Sequence, residues 1–189
     1  MAKQKILLMM IFIISLIVLV HCTRDTNTIA GYSIERETGT TPEYFVYSAI
    51  LNSLKSQADA GFVLSDSTVF FNFHNDSSYI MMSFSELQEE TFQSFQTANQ
   101  QSIELLNIPD VNITCHLIHA RYARYWNELF PNASALIHVS GVGFNPPADQ
   151  ALVYVSKHVS PLSNTGFLIM LSRNNDGWTI VKSLILWTA

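Results

Sequence analysis

From residue 136 onward the chain is a succession of strand-like runs with no helical stretch between them, and this order limits the fold more than any other feature. The runs are Leu136–Phe144, Ala151–Val159, Phe167–Arg173 and Trp178–Trp187. Their connectors, Asn145-Pro146-Pro147, Pro161-Leu162-Ser163-Asn164 and Asn174-Asn175-Asp176-Gly177, are made of turn formers. The last is a hairpin signal. Strands joined by short turns pair antiparallel, which predicts a meander of about four strands. Apolar residues fill successive positions, as in Leu152-Val153-Tyr154-Val155, so much of the sheet is expected to be covered on both faces.

The cover comes from upstream. Thr41-Pro42-Glu43 is a helix start, with an N-cap oxygen, a proline at the first position and an acid at the positive end of the dipole. Val46, Ile50 and Leu54 follow at helical spacing with Tyr47 and Leu51 beside them, which predicts a helix over 42–57. Phe62-Val63-Leu64 and Val69-Phe70-Phe71, around Ser65-Asp66-Ser67, read as two short strands or one with a bulge. A loop is expected over 72–78. Ser83-Phe84-Ser85-Glu86 matches a capping box ahead of a long helix whose apolar face holds Phe84, Leu87, Phe92, Phe95 and Ala98. Tyr122, Tyr125, Trp126, Leu129 and Phe130 sit at the spacing of an amphipathic helix with an aromatic face. Helices first and strands after give an α+β fold: N-terminal helices packed on a C-terminal antiparallel β-meander.

The N-terminus places this domain. Lys3 and Lys5 precede an apolar run from Ile6 to Val20, interrupted only by Ser15. As a helix it would be about 22 Å long, against about 30 Å for a hydrocarbon core, so it suits an export signal better than a span. Leu19-Val20-His21-Cys22 resembles a bacterial lipobox, which implies lipidation of Cys22. His21 departs from the small residue such a motif has there, so an uncleaved anchor and simple cleavage stay open. The chain therefore divides into a targeting segment at 1–21, a flexible tether at 22–41 rich in Thr, Asn and Gly, and one α+β domain at 42–189. Without residues 1–21 the charge falls from −5 to −7, with 8 basic and 15 acidic residues left. That balance opposes nucleic acid as a partner.

The C-terminal block has a further texture: Ser140-Gly141-Val142-Gly143-Phe144-Asn145, Gln150-Ala151-Leu152-Val153-Tyr154-Val155, Gly166-Phe167-Leu168-Ile169-Met170-Leu171 and Asp176-Gly177-Trp178-Thr179-Ile180-Val181, with Trp187 near the end. Together with Glu43-Tyr44-Phe45-Val46-Tyr47-Ser48 and Phe95-x-x-x-Asn99, it resembles a group of bacterial exported proteins and lipoproteins that end in such a meander. The resemblance implies export and the fold. It implies no activity.

Residues that could carry chemistry are few. Cys115, His116 and His119 form the densest metal-capable cluster; on a helix the two histidines would lie one turn apart, with Asp110 and His138 as further ligands only if the fold brings them near. Neither His-Glu-x-x-His nor paired Cys-x-x-Cys is present, and no metal site or cofactor is expected. With Cys22 lipidated, Cys115 is left alone among apolar neighbours and reads as a small buried hydrophobe. Arg121 and Arg124 alternate with Tyr122, Tyr125 and Trp126, which helical spacing explains as aromatics inward and arginines outward. Gly141-x-Gly143 lacks the third glycine of a dinucleotide loop and reads as a site of bulging or close packing. Ser140 is not in a Gly-x-Ser-x-Gly elbow. Glu86, Glu89, Glu90 and Glu104 read as solvated. Asn75, Asn112 and Asn132 begin Asn-x-Ser/Thr triplets, which carry no information in a bacterial lipoprotein.

Two functions are expected to compete. One is a membrane-anchored binding or interaction module of the cell envelope, taking a small apolar ligand between helices and sheet, or an envelope protein. The other is an extracytoplasmic, hydrolase-like enzyme in which His138, His119, Asp66 or Glu86 converge in that pocket. A histidine and a carboxylate within hydrogen-bond reach in a cavity would favour the second.

Overall fold

The computed structural model describes residues 36–54, 60–70 and 77–189. The apolar run at 6–20, the candidate lipid site Cys22 and the tether up to residue 35 lie outside them. Among the described residues no helix is long and apolar enough to cross a membrane.

The described elements are α1 (Pro42–Ser53), β1 (Phe62–Ser65), α2 (Ser77–Ser83), α3 (Glu89–Ala98), β2 (Cys115–Ile118), a 3-10 turn (Ala120–Tyr125), the single-turn α4 (Trp126–Leu129), and five more strands. These are β3 (Ala135–Val139), β4 (Gly143–Phe144), β5 (Gln150–Ser160), β6 (Ser163–Asn174) and β7 (Gly177–Thr188). They build one seven-stranded sheet in the order β2-β1-β3-β5-β6-β7, with β4 also on β5. The α+β class and the meander stand. The sheet exceeds the expected four strands because β1 and β2 extend it: β1 runs parallel to both β2 and β3. Nor are the helices confined to the N-terminal side, since α4 lies between β2 and β3.

Both faces of β5 and of the middle of β6 are covered, as their successive apolar positions predicted, whereas the edge strand β7 is largely exposed. On β5, Ala151, Val153 and Val155 join one cluster with Phe62, Leu64, Ile137 and the α1 residues Val46, Tyr47, Ile50 and Leu51. Leu152 and Tyr154 point the other way, into a cluster with Phe84, Phe92 and Phe95. A third, smaller cluster places Val63, Ile118 and Leu136 under Tyr122, Trp126, Leu129 and Phe130.

Several local expectations change. Val69 and Phe70 do not form a strand, and α2 occupies Ser77–Ser83 where a loop was expected to reach residue 78. The run 136–144 breaks into β3 and β4 because the Asn99 side chain takes the place of a strand at Gly141: Nδ2 donates to Gly141 O (3.1 Å) and Oδ1 accepts from Gly141 N (2.9 Å). The capping box at 83–86 is a turn instead, with Phe84 and Leu87 buried. Helix α3 begins later, at Glu89, where Gln150 of β5 supplies the cap: its Oε1 accepts from Gln88 N and Thr91 Oγ1, each at 2.8 Å. Residues 122–130 form a 3-10 turn and one α-turn rather than a continuous helix. Last, residues 36–40, which composition assigned to the tether, pack on the domain through Thr38 pairing with Asn107.

Candidate functional site

Helix α1 has two working stripes. Val46, Tyr47, Ile50 and Leu51 face the core. Phe45, Ser48, Ala49 and Asn52, at i, i+3, i+4 and i+7, line a pocket of about 360 Å³. The opposite wall comes from the β6–β7 hairpin, with Arg173, Gly177 and Trp178. Gly177 sits at φ +117, a backbone state that a side chain strains, and this sets the turn that delivers Trp178. The Trp178 ring packs on Phe144 with centroids 5.6 Å apart. The third wall is Asp110, itself in the left-handed region at φ 53. Its carbonyl is pinned to α1 by Ser48 Oγ (3.1 Å) and Asn52 Nδ2 (2.9 Å), while Asn52 Oδ1 accepts from Asn112 N (2.8 Å). The pocket thus has an aromatic body with one arginine and one aspartate on its walls; the Trp178 ring is held by packing and the Asp110 backbone by hydrogen bonds.

Two of the four expected catalytic residues do meet. Asp66 directly follows β1 and His119 directly follows β2, so the parallel pairing of these strands brings them together. Asp66 is 2% exposed; its Oδ2 lies 3.1 Å from His119 Nδ1 and 3.3 Å from Arg36 Nη2, and its Oδ1 accepts from Ala120 N at 3.1 Å. Arg36 also donates to Leu105 O (2.7 Å) and lies 3.7 Å from the exposed Glu104. These contacts join four separate segments of chain. Among the described residues, no serine or cysteine side chain hydrogen-bonds His119, and the group does not line the α1 pocket.

His138 and Glu86 are elsewhere. Glu86 is exposed in the turn before α3. His138 packs edge-on to His158, with ring centroids 5.1 Å apart, beside a second pocket of about 330 Å³ that also includes Trp126 and Arg124. Burial, aided by His158, pulls the His138 pKa down to about 4, so the ring is neutral at physiological pH. The Asn164 amide is satisfied with Nδ2 facing His158 Nδ1 at 3.1 Å, which leaves Nε2–H of His158 to donate to Ser156 Oγ (3.1 Å). No carboxylate lines this pocket among its lining residues.

The other candidates resolve into packing. Cys115 and His116 lie on strand β2 and not on a helix, so they point to opposite sides: Cys115 packs on the main core and His116 stacks on Phe130 at 5.1 Å. Burial pushes the Cys115 thiol up to about 12, which removes its thiolate chemistry. Among the described residues no group of three or more His, Cys, Asp or Glu could hold a metal ion. Arg121 and Arg124 each lie 4.6 Å over the following tyrosine ring. Ser140 is fully buried and spends its hydroxyl on backbone, donating to Gly141 O (2.8 Å) and accepting from Tyr154 N (2.9 Å). Gly141 and Gly143 let the backbone of α3 approach, since an added Cβ would meet Ala98 and Phe95.

Sequence reasoning missed Arg173, Trp178 and Asp110 as a set. The signal that could have found them is the pairing of an α1 stripe at i, i+3, i+4 and i+7 that is neither wholly apolar nor charged with a tryptophan directly after the hairpin turn. No family model, no curated protein and no solved structure matches the chain.

Proposed function

We propose that the chain is an exported, membrane-tethered binding module of the cell envelope that takes a small molecule with an apolar ring into the pocket between α1 and the β6–β7 turn. The observation that carries this reading is the pocket itself. At about 360 Å³ it falls in the range of small-molecule sites, which are lined mostly by apolar and aromatic groups with a few placed polar ones. Export rests on Lys3, Lys5 and the apolar run that follows, and the tether on a lipid at Cys22. The test uses the full chain in detergent micelles, following the three indole N–H resonances as indole or phenol is added. A saturable shift confined to Trp178, abolished by Phe45→Ser, supports the pocket. Equal movement of Trp126, Trp178 and Trp187 overturns it. Mass spectrometry of the purified N-terminus tests the tether: diacylglycerol on Cys22 supports it, and a membrane-bound chain that still starts at Met1 sinks it.

One contact favours a second reading, a hydrolase-like enzyme. His119 Nδ1 sits 3.1 Å from the buried Asp66 carboxylate, which is how a general base is oriented. The binding reading expects no ester turnover that depends on His119. Turnover lost in His119→Ala and retained in Trp178→Ala would favour the enzyme instead.

A further inference from the structure

Two exposed charged residues of opposite sign line the α1 pocket. Arg36 and Asp66 satisfy one another within a closed network. Arg173 and Asp110 line a common pocket, yet neither side chain has an ion-pair or hydrogen-bond partner among the described residues. They do not pair with each other either. Both are nevertheless held in position through their backbones. Arg173 N donates to Asp149 O at 2.7 Å, and Arg173 stands opposite Trp178 in the β6–β7 register. The Asp110 carbonyl is fixed by Ser48 and Asn52.

From this we infer that the ligand of the pocket is a zwitterion with an apolar ring, of the amino-acid class. Its carboxylate meets the Arg173 guanidinium, its ammonium meets the Asp110 carboxylate, and its ring lies against Trp178 and Phe45. The inference rests on the pocket reading given above. A guanidinium offers a planar fork of donors that matches a carboxylate, and a carboxylate accepts from an ammonium with no other group needed. A doubly charged anion would meet Asp110 uncompensated, and a plain cation would leave Arg173 unmatched. A zwitterion matches one charge of each sign with one of each sign. The left-handed backbone at Asp110 fits this role, since Asp and Asn tolerate it through their short polar side chains while bulkier residues do not.

The test compares four probes on the full chain in detergent micelles by titration calorimetry: L-phenylalanine, N-acetyl-L-phenylalanine, 2-phenylethylamine and benzyl alcohol. They share a ring and differ in charge. Phenylalanine is expected to bind tightest, with loss of either charge weakening binding about tenfold or more, the fold-change of about 1.4 kcal/mol. Arg173→Gln should erase the advantage over 2-phenylethylamine alone. Asp110→Asn, which keeps the backbone state, should erase the advantage over N-acetyl-L-phenylalanine alone. Equal binding of all four probes overturns the zwitterion and leaves the pocket standing. Binding by none of the four overturns both. Preference for phenylalanine that survives both substitutions overturns the assignment of its charges to these residues.

Discussion

His138 couples one buried ring to the pH range of the protein. Its pKa is about 6.5 in the unfolded chain and about 4 in the folded one. As pH falls below 6.5 the unfolded state takes up the proton first, so stability present above 6.5 is lost progressively until pH reaches about 4. The full loss is up to about 3 kcal/mol at 1.36 kcal/mol per unit. Urea unfolding across pH 4 to 7 should show this slope, and His138→Phe should flatten it; an unchanged slope would mean another group carries the acid sensitivity. Asp66 is a buried carboxylate held by Arg36, His119 and the Ala120 amide. Asp66→Asn leaves Arg36 without its buried carboxylate partner and should cost about 3 kcal/mol in urea midpoint measurements. Neither role was legible as such. Asp66 and His119 stood out as titratable residues, but their contact depends on two short parallel strands, and no local spacing encodes parallel pairing. His138 stood out as a histidine on a strand, and only the packing of His158 and Trp126 around it decides that it is neutral.

Among the elements, the long apolar strands were legible because each is bounded by Pro, Asn or Gly. The short ones were not. Cys115–Ile118 has too few residues to separate a period of two from a helical turn, so its spacing assigns it no element. Side chains replacing backbone are also invisible in sequence. Asn99→Ala removes both bonds to Gly141 and the bond to Phe95 O (2.8 Å), leaving a buried N–H and carbonyl unpaired. About 3 kcal/mol of destabilisation is expected by thermal or urea melting; a loss under 1 kcal/mol would show that water replaces the amide. Strand β7 carries two bulges that plain alternation does not reveal. Register shifts fall between Met170 and Leu171 and between Gly166 and Phe167, which makes Val181 and Leu186 the spare residues on β7. The first shift brings Trp178 to the α1 face. The second brings Trp187 to the opposite face, where its Nε1 donates to Tyr154 Oη at 3.1 Å. Deleting Val181 straightens the strand and should cost about 1 kcal/mol or less. Deleting Ser183, where nothing is spare, turns one end of β7 inside out and should cost about 3 kcal/mol or more. Equal costs in melting experiments would refute the spare-residue view.

The described domain is one sheet whose central strands are clad on both sides, and its three tryptophans sample different parts of it. Trp126 covers the β1–β3 end, Trp178 packs with the α1 side, and Trp187 lies on the other face. Because the clusters share strands β1, β3 and β5, unfolding is expected in one cooperative transition, with far-ultraviolet dichroism and tryptophan fluorescence giving the same midpoint. Separate midpoints would show that the β2–β1 margin melts by itself. At this scale the fold class was legible, since the order of helical and strand-like segments decides it. The extra parallel pair was not, because it is stitched by non-local contacts. One feature at the edge of the domain also bears on mechanics. With the chain tethered at Cys22, as proposed, Arg36 is the first of the described residues that tension from the membrane side would meet. There the chain is clamped to Asp66 and, through Glu37 O and Gly39 N, to both backbone groups of Asn107. The pull would be taken up at these contacts before arriving at α1, so the pocket would keep its shape while the anchor is strained.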